Sequence, residues 1–213
     1  MMNKDQQRNL LRTADAIGDH LAWAWNYVAT LRALQKHARS RPKLIEKHNH
    51  FFSTVMFAMW DALFLKLSHC SDKNRNATGF PRLFKELRAY LPQEPKVRAA
   101  VSKQEQVLLR LTARRKIENW RDEAVAHRTF AADCRQFFED NKCTLDEVEK
   151  LVSRYQRILH SFTFPLFDLG FRVRDHGPRA HRGVNRLMAS MKEGRTSASS
   201  VRSARGGPRT TKA

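Results

Sequence analysis

The stretch ENWRDEAVAHRTF, residues 118–130, places a permanent cation, Arg121, six positions before a titratable imidazole, His127. Imidazole has an unperturbed pKa of about 6.5, so it can accept or release a proton near neutral pH. Guanidinium stays charged, and its planar fork matches two oxygens of a phosphate or carboxylate. The two side chains could therefore combine proton transfer with charge stabilisation. Glu123 precedes His127 by four residues, a helical spacing at which its carboxylate can reach the ring.

Helical geometry limits how these side chains can meet. The flanking sequence predicts a helix, because one stripe recurs every three or four positions: Ile117, Trp120, Ala124, His127 and Ala131. On a straight helix, six residues correspond to about 120° of rotation and about 9 Å of rise. Either the helix bends between Arg121 and His127, or a two-fold axis places the pair of a second subunit beside the first. If the two residues have no catalytic role, such a His is a hydrogen-bonded core residue and such an Arg forms an ion pair at the surface.

The whole chain is strongly basic. Its 40 Lys and Arg residues against 21 Asp and Glu give a formal net charge of +19. This charge indicates a polyanionic partner, either nucleic acid or an anionic membrane surface. Four basic residues beside the candidate pair could follow a phosphate backbone, although a solvated helix face explains them equally well: Arg114, Arg115, Lys116 and Arg128.

Cysteine and histidine usage predicts neither disulfides nor a metal site. Cys70, Cys134 and Cys143 are odd in number and have no C-x-x-C spacing, which is typical of reduced thiols in the cytosol. The His residues are scattered, so we expect no metal and no cofactor. The longest apolar run, residues 51–67, is shorter than a bilayer span and contains Asp61, and the N-terminus has no apolar signal core. We therefore predict a cytoplasmic protein without a membrane segment.

The first 171 residues predict an all-α domain, an up-and-down four-helix bundle with a short extra helix. We expect long helices over about residues 5–38, 50–69, from 96 through the 118–130 stretch, and to about 168, with the short helix ending near 91. Thr144 and Glu147 form a capping box that starts the last long helix, and Gly170 is its expected stop. The second helix is expected to be fully buried, because additional apolar residues widen its stripe: Phe51, Val55, Trp60 and Phe64.

Residues 172–213 predict a disordered basic tail. They contain eleven Arg or Lys against Asp175 and Glu193, a net charge of +9, and are rich in Ser and Gly. A short helix at VNRLMASMKE is the one exception that we expect. The tail could be a nucleic-acid arm or a solubilising extension. Truncation after Phe171 is expected to leave thermal stability nearly unchanged.

Three segments carry a family resemblance. WRDEAVAHR matches an Arg, a polar residue, a four- to six-residue spacer and a His; the other two segments are AMWDALFLKLSHCSDKNRNATGFPRLFKEL, in which Asp72 closes a helix, and TLDEVEKLVSRYQRIL. Within a chain of four long helices, these segments resemble the HEPN superfamily, and within it the abortive-infection U-type (AbiU-like) proteins of bacteria. The resemblance covers about residues 1–170.

The resemblance implies a metal-independent endoribonuclease that works as a homodimer, in a toxin or phage-defence setting with a cognate antitoxin protein. Arg121 and His127 carry over as the catalytic pair, and Asp122 as the polar residue that orients them. RNA would be cleaved by its own 2′-hydroxyl. Thr129 stands where toxin members paired with a nucleotidyltransferase antitoxin have Tyr, so the resemblance does not extend to control by nucleotidylation. The alternative is a non-catalytic HEPN-like module that binds RNA or a partner protein.

Overall fold

The structure, a computed structural model, describes residues 2–74, 76–122, 139–167 and 182–191. Every regular element in these ranges is helical, and no strand occurs among them, which confirms the all-α prediction. The described ranges include α1 Lys4–Ser40, α2 Pro42–Lys47, α3 Asn49–Ser71, α4 Phe80–Tyr90, α5 Pro95–Leu109, α6 Thr112–Trp120 and α7 Leu145–Phe167, with a further helix over residues 182–191.

The long helix α1 is the centre of the bundle. It packs against α3 on one side and α7 on another, while α6 contacts α3 and α7, and the short α4 contacts α1 and α5. An apolar stripe of α1 lines the main core, and its central residues are fully buried, including Ile17, Leu21 and Leu31. The arrangement is HEPN-like, with four long helical elements and a short extra helix. The third of these elements is divided between α5 and α6.

Local hydrogen bonds fix where α1 and α7 begin. Asn3 and Gln6 form a capping box at the start of α1, with each side chain accepting the other residue's backbone N–H at 2.9–3.0 Å. The predicted capping box of α7 is confirmed: the Glu147 amide donates to Thr144 Oγ1 at 3.2 Å, and the Thr144 amide donates to Glu147 Oε2 at 2.7 Å. Both boxes satisfy amides that have no partner within the helix.

The helix expected from residue 96 through the 118–130 stretch is interrupted. Helix α5 ends at Leu109, Leu111 is extended with φ −76° and ψ 104°, and α6 begins at Thr112. Arg114 stabilises the break, because its Nη1 donates at 3.1 Å to the carbonyl of Leu108, in the last turn of α5. Because of this break, α6 does not have to continue along the axis of α5, and it packs against α3 and α7.

Helix α3 is not fully buried, contrary to the prediction from its apolar stripe. Phe52, Leu63, Phe64 and Leu67 are buried, but three other large apolar side chains are exposed: Phe51, Phe57 at 68% and Leu65. Only one side of the widened apolar stripe of α3 therefore packs into the core. Among the described residues, α3 is the one helix that is long and apolar enough to cross a membrane, with a mean hydropathy of 1.3, a property shared by core helices of soluble bundles.

Part of the basic segment 172–213 packs against the helical domain. Residues 182–191 form a helix whose Val184 and Met188 are buried in a second, smaller cluster with Ala33, Leu34 and Phe52. His37 and Asn185 are hydrogen-bonded at 2.7 Å, and Arg41 Nη1 donates to the Met188 carbonyl. The short helix expected at VNRLMASMKE is therefore present and belongs to the packed domain. Gly170 and the remainder of residues 172–213 lie outside the described residues.

Candidate functional site

Contacts with α3 and with the residues before α7 hold the end of α6. Trp120 packs edge-on against Phe64, with ring centroids 5.7 Å apart, and its indole N–H donates to Asp61 Oδ1 at 3.4 Å. Asn119 Nδ2 donates to Asn141 Oδ1 at 3.0 Å. These contacts come from both sides, so the position of the residue after Trp120 is well determined.

That next residue is Arg121, where the helical geometry changes. Arg121 and Asp122 adopt π-helical geometry instead of continuing the α-helix. Single π turns inside helices are frequent at functional sites. His127 itself, with Glu123 and Arg128, lies outside the described residues.

Two carboxylates hold the Arg121 guanidinium. Arg121 Nε donates to Asp122 Oδ1 at 2.6 Å, Nη2 lies 2.6 Å from the same oxygen, and Nη1 lies 3.8 Å from Asp72 Oδ2. The side chains of Arg121 and Asp72 are each 26% exposed, whereas that of Asp122 is 52% exposed. A phosphate oxygen arriving from solvent would therefore compete with Asp122 more easily than with Asp72.

Asp72 has a second contact that orients it. Its Oδ1 accepts the backbone N–H of Asn74 at 2.9 Å, while its Oδ2 faces Arg121. Asp72 thus couples the loop after α3 to the guanidinium. From the sequence we expected it only to close a helix. Its contact with Arg121 depends on the packing of α6 against α3, for which the sequence carried no signal.

Two histidines lie beside this ion pair. His20 of α1 and His69 of α3 stack with ring centroids 5.1 Å apart and an interplanar angle of 24°, and His69 precedes Asp72 by three residues. Burial, followed by the charges of His69 and Lys66, lowers the pKa of His20 to about 4, against the opposing charge of Asp19. Burial also lowers the pKa of His69; Asp72 opposes this shift, and Lys66 and Arg121 add to it. Both rings are therefore neutral at pH 7. Sequence reasoning missed them, although the three-residue spacing of His69 and Asp72 was visible.

A basic groove begins one residue after Asp72. Its volume is about 650 Å³, and its lining includes three cations, two side-chain amides, a carboxylate and a phenol ring: Lys73, Arg82, Lys85, Asn74, Asn76, Glu86 and Tyr90. Arg82 is paired with Glu86 at 2.8 Å, whereas Lys73 and Lys85 are exposed. The groove thus combines cations, hydrogen-bonding amides and one aromatic ring, the side-chain types that contact phosphates and bases in nucleic-acid-binding proteins.

Three of the four residues predicted to bind RNA lie within the described residues, and they differ in their exposure and contacts. Arg114 is only 8% exposed and its guanidinium is paired with Glu118 at 2.8 Å, so it is a structural residue of the α5–α6 break and does not face RNA. Lys116 donates to the Lys142 carbonyl at 2.7 Å and is largely buried there. Arg115 is exposed on α6.

The described residues contain no group of three or more His, Cys, Asp or Glu side chains that could hold a metal ion. Two of the thiols are described. Cys70 is fully buried, and burial raises its pKa; Cys143 is partly buried, and burial raises its pKa to about 11. Neither thiol is a nucleophile at neutral pH. Cys134 lies outside the described residues.

Comparison with known proteins gives one finding. The family model described as HEPN AbiU2 matches residues 8–187, a range that contains most of α1, all of α2 to α7 and the stretch from Arg121 to His127. No curated protein and no solved structure matches the chain. The match covers far more than half of the sequence and agrees with the all-helical architecture. The chain therefore belongs to the AbiU2 family of HEPN proteins.

Proposed function

We propose that this protein is a metal-independent HEPN-type endoribonuclease, an effector of toxin or phage-defence type. One observation carries the proposal: Arg121 is held between Asp72 and Asp122 where α6 turns π-helical, six residues before His127, in a chain of the AbiU2 family. Restraint by two carboxylates presents a pre-oriented guanidinium, and a pre-oriented cation stabilises a developing negative charge better than a mobile one.

The reaction requires no external oxidant or metal. The 2′-hydroxyl of one nucleotide loses its proton to a base, and its oxygen attacks the adjacent phosphorus. The bond from phosphorus to the 5′-oxygen breaks, and that oxygen takes a proton from an acid. The products are a 2′,3′-cyclic phosphate and a 5′-hydroxyl. Arg121 stabilises the charge on the phosphoryl oxygens, and His127 is one proton-transfer group. Asp122 orients Arg121.

RNA would reach Arg121 along the basic groove. Lys73, which lines the groove, follows Asp72 directly in the chain, and Asp72 contacts Arg121. Lys73, Lys85 and the exposed Arg115 supply positive charge, and the chain as a whole carries +19. Phosphate contacts of this kind bind RNA without reading its sequence.

Two subunits are part of the proposal. We expect a cytoplasmic homodimer in which the stripe through Trp120 and His127 lies at the two-fold seam, so that both pairs face one RNA. A cognate antitoxin protein is the second expected partner, and we expect no membrane association. Light scattering at micromolar concentration tests the dimer, because a monomeric mass would remove the shared site.

The decisive experiment incubates purified protein with total RNA in EDTA. Wild type is expected to cleave, His127→Ala to lose about a hundredfold or more in rate, and His50→Gln, an exposed imidazole at the start of α3, to cleave normally. The new ends should be 2′,3′-cyclic phosphates. A 2′-deoxy substitution at the scissile nucleotide should abolish the cut. Equal processing by wild type and His127→Ala, or loss of activity with chelator, would contradict the proposal.

The second candidate is a non-catalytic module that binds RNA or a partner protein. The observation that favours it is charge compensation, since two carboxylates lie within 3.8 Å of the one guanidinium and reduce its attraction for phosphate. This candidate predicts RNA retention on a filter with intact RNA recovered afterwards, and it predicts the same affinity for 2′-deoxy RNA.

A further inference from the structure

The basic groove contains a buried hydrogen-bond acceptor without a partner. Glu86 lines the groove, yet the residue is only 8% exposed. Its Oε1 accepts from Arg82 Nε at 2.8 Å, whereas no described residue donates to its Oε2. Such atoms are uncommon in folded proteins, because a desolvated acceptor has lost its bond to water without replacement. An open acceptor on a residue that lines a cavity is therefore available to a donor of a ligand.

Helix α4 is divided between the core and the groove. Leu83, Phe84 and Leu87 are buried in the main core. The groove is lined by complementary positions that recur every three or four residues: Arg82, Lys85, Glu86, Ala89 and Tyr90. Tyr90 follows Glu86 by four residues, so the two lie one turn, about 6 Å, apart along the axis. A flat ring whose edge meets Glu86 is therefore within reach of the phenol of Tyr90.

The lining around Glu86 attracts anions. Lys85 on α4 and Lys73 on the loop after α3 are exposed, and the Arg82 side chain is 41% exposed. Three cations thus line the groove beside one carboxylate. A ligand that fits both kinds of group carries a phosphate for the cations and a neutral edge of N–H donors for Glu86. Nucleotides combine these two features.

Guanine is the base whose donors match a carboxylate. Its N1–H and its N2 amino group are neighbours on the Watson–Crick edge and point the same way, as the two oxygens of a carboxylate do. Adenine and cytosine present one amino group beside an acceptor nitrogen, and uracil presents one N–H between two carbonyls. An acceptor on these bases would face Glu86 and repel it. Single-stranded RNA exposes this edge of its bases to proteins.

We propose that the basic groove binds a guanine nucleotide of RNA and that Glu86 reads the base. The N1–H and N2 amino groups donate to the two carboxylate oxygens, the base stacks on Tyr90, and Lys73 and Lys85 contact phosphates. Arg82 lies against the carboxylate at 2.8 Å, and it shifts toward a phosphate as the base enters. The assignment to RNA rests on the proposed function, whereas the preference for guanine does not.

Calorimetry with nucleoside monophosphates and the full chain tests the preference without cleavage. GMP should bind at least about tenfold more tightly than AMP, CMP or UMP, a ratio typical of one bidentate contact. IMP, which lacks the N2 amino group, should lose most of this advantage. Glu86→Gln keeps an oxygen for Arg82 but turns an N–H donor toward guanine, so GMP should bind it no better than AMP. Glu46→Gln, an exposed position of α2 outside the groove, is the matched control and should keep the preference.

Two further measurements separate reading of the base from the other contacts. Tyr90→Leu should weaken all four monophosphates alike, because stacking does not distinguish bases strongly. A 2′-O-methyl oligoadenosine with one guanosine lacks the attacking hydroxyl and stays intact. It should bind more tightly than GMP, because its additional phosphates reach the lysines of the groove. The melting temperature of Glu86→Gln should stay at the wild-type value.

Three binding results would overturn the inference. Equal affinity of the wild type for the four monophosphates would do so without any variant. A GMP preference retained by Glu86→Gln would remove Glu86 as the reader, and tighter binding of GMP than of the oligonucleotide would exclude RNA as the source of the base.

Mapping the ends of cleaved total RNA distinguishes this inference from the proposed function. Cuts at a fixed distance from guanosines would support both. Cuts without base preference would overturn the inference alone, whereas intact RNA together with guanine-selective binding would overturn the cleavage alone.

Discussion

At the scale of single residues, Asp72 has two partners: the backbone N–H of Asn74 and the guanidinium of Arg121. A carboxylate with both contacts is restrained in two directions, so it can restrain Arg121 in turn. Asp122 is more exposed and is the partner that a phosphate would replace. The two carboxylates have different roles, with Asp72 positioning the cation and Asp122 occupying its open edge.

The variant Asp72→Asn tests this division. Its amide oxygen can still accept the Asn74 N–H, but its negative charge is gone, so Arg121 loses one restraint. We expect the cleavage rate to fall about tenfold or more, because small displacements of a charge-stabilising group cost rate steeply. RNA affinity should rise slightly, because a negative charge has been removed.

The matched control is Asp5→Asn, a highly exposed carboxylate that pairs with Arg8 near the start of α1. Asp5→Asn also removes one negative charge, but at a position far along the chain from Arg121. The RNA affinity should therefore rise as it does in Asp72→Asn, whereas the cleavage rate should stay at the wild-type value. If Asp72→Asn kept the wild-type rate, Asp72 would have no positioning role.

The histidine stack makes stability depend on pH. The folded-state pKa of His20 is about 4 and its unfolded value is near 6.5, so the unfolded chain binds more protons between these values. Folding stability should therefore decrease as the pH falls from 6.5 through about 4. Urea denaturation at pH 7 and pH 5 should show a smaller loss in His20→Gln than in wild type.

The ring protons of His20 give an independent measurement. In an NMR titration they should not shift above about pH 5. A His20 midpoint near 6.5 would contradict the burial of the stack.

At the element scale, the end of α3 is located by its contact with the start of α4. A Cβ added to Gly79 would lie 2.7 Å from the His69 carbonyl oxygen and 2.8 Å from the Cys70 carbonyl oxygen, and both neighbours are backbone. Gly79 permits this approach because it has no side chain; its φ of −103° is open to any residue. The same turn of α3 carries His69 and leads to Asp72.

Gly79→Ala is therefore expected to destabilise the fold by about 1–3 kcal/mol, the usual range for overpacking, and to lower the cleavage rate by displacing the end of α3. Gly183→Ala is the control, because nothing lies within 4 Å of its added Cβ and Ala favours a helix more than Gly does. Chemical denaturation gives both values. Equal stability of the two variants would contradict the close approach at Gly79.

At the scale of the whole molecule, the helix over residues 182–191 closes a second cluster against α1 and α3. Its two buried side chains, Val184 and Met188, pack with Leu34 and Phe52, away from the main core. The basic segment expected to be independent of the fold is thus partly a structural element. Its charge and its packing are carried by different residues.

Two truncations separate these contributions. A chain ending at Phe171 lacks Val184 and Met188. Burial of each of these side chains stabilises the fold by at most about 1.5–3 kcal/mol, so this chain should melt at a lower temperature than the full protein. A chain ending at Met191 keeps both and should melt like the full protein. It lacks six Arg or Lys residues of the tail, so its RNA affinity should depend less steeply on salt. Equal melting of the two truncated chains would contradict the packing of this helix.

Sequence reasoning determined the features that depend on local periodicity and short-range contacts. The bounds of α1, α3 and α7, the end of α4, the capping box of Thr144 and Glu147, and the HEPN resemblance could all be read from the chain. A stripe or a cap involves residues three or four apart, and the chain itself holds these at fixed separations.

Only the tertiary structure decided which distant residues meet. The interruption at Leu111 sets the direction of α6, and the packing of Trp120 against Phe64 then brings Arg121 to Asp72. Equally, the stack of His20 on His69 requires α1 and α3 to lie side by side in one register. Periodicity identifies the buried face of each helix but not the neighbour or the axial offset at which it packs, because many offsets bury similar apolar area. Arg121 was therefore predictable from its motif as a candidate charge-stabilising residue, whereas its contacts with distant residues depend on how the helices pack.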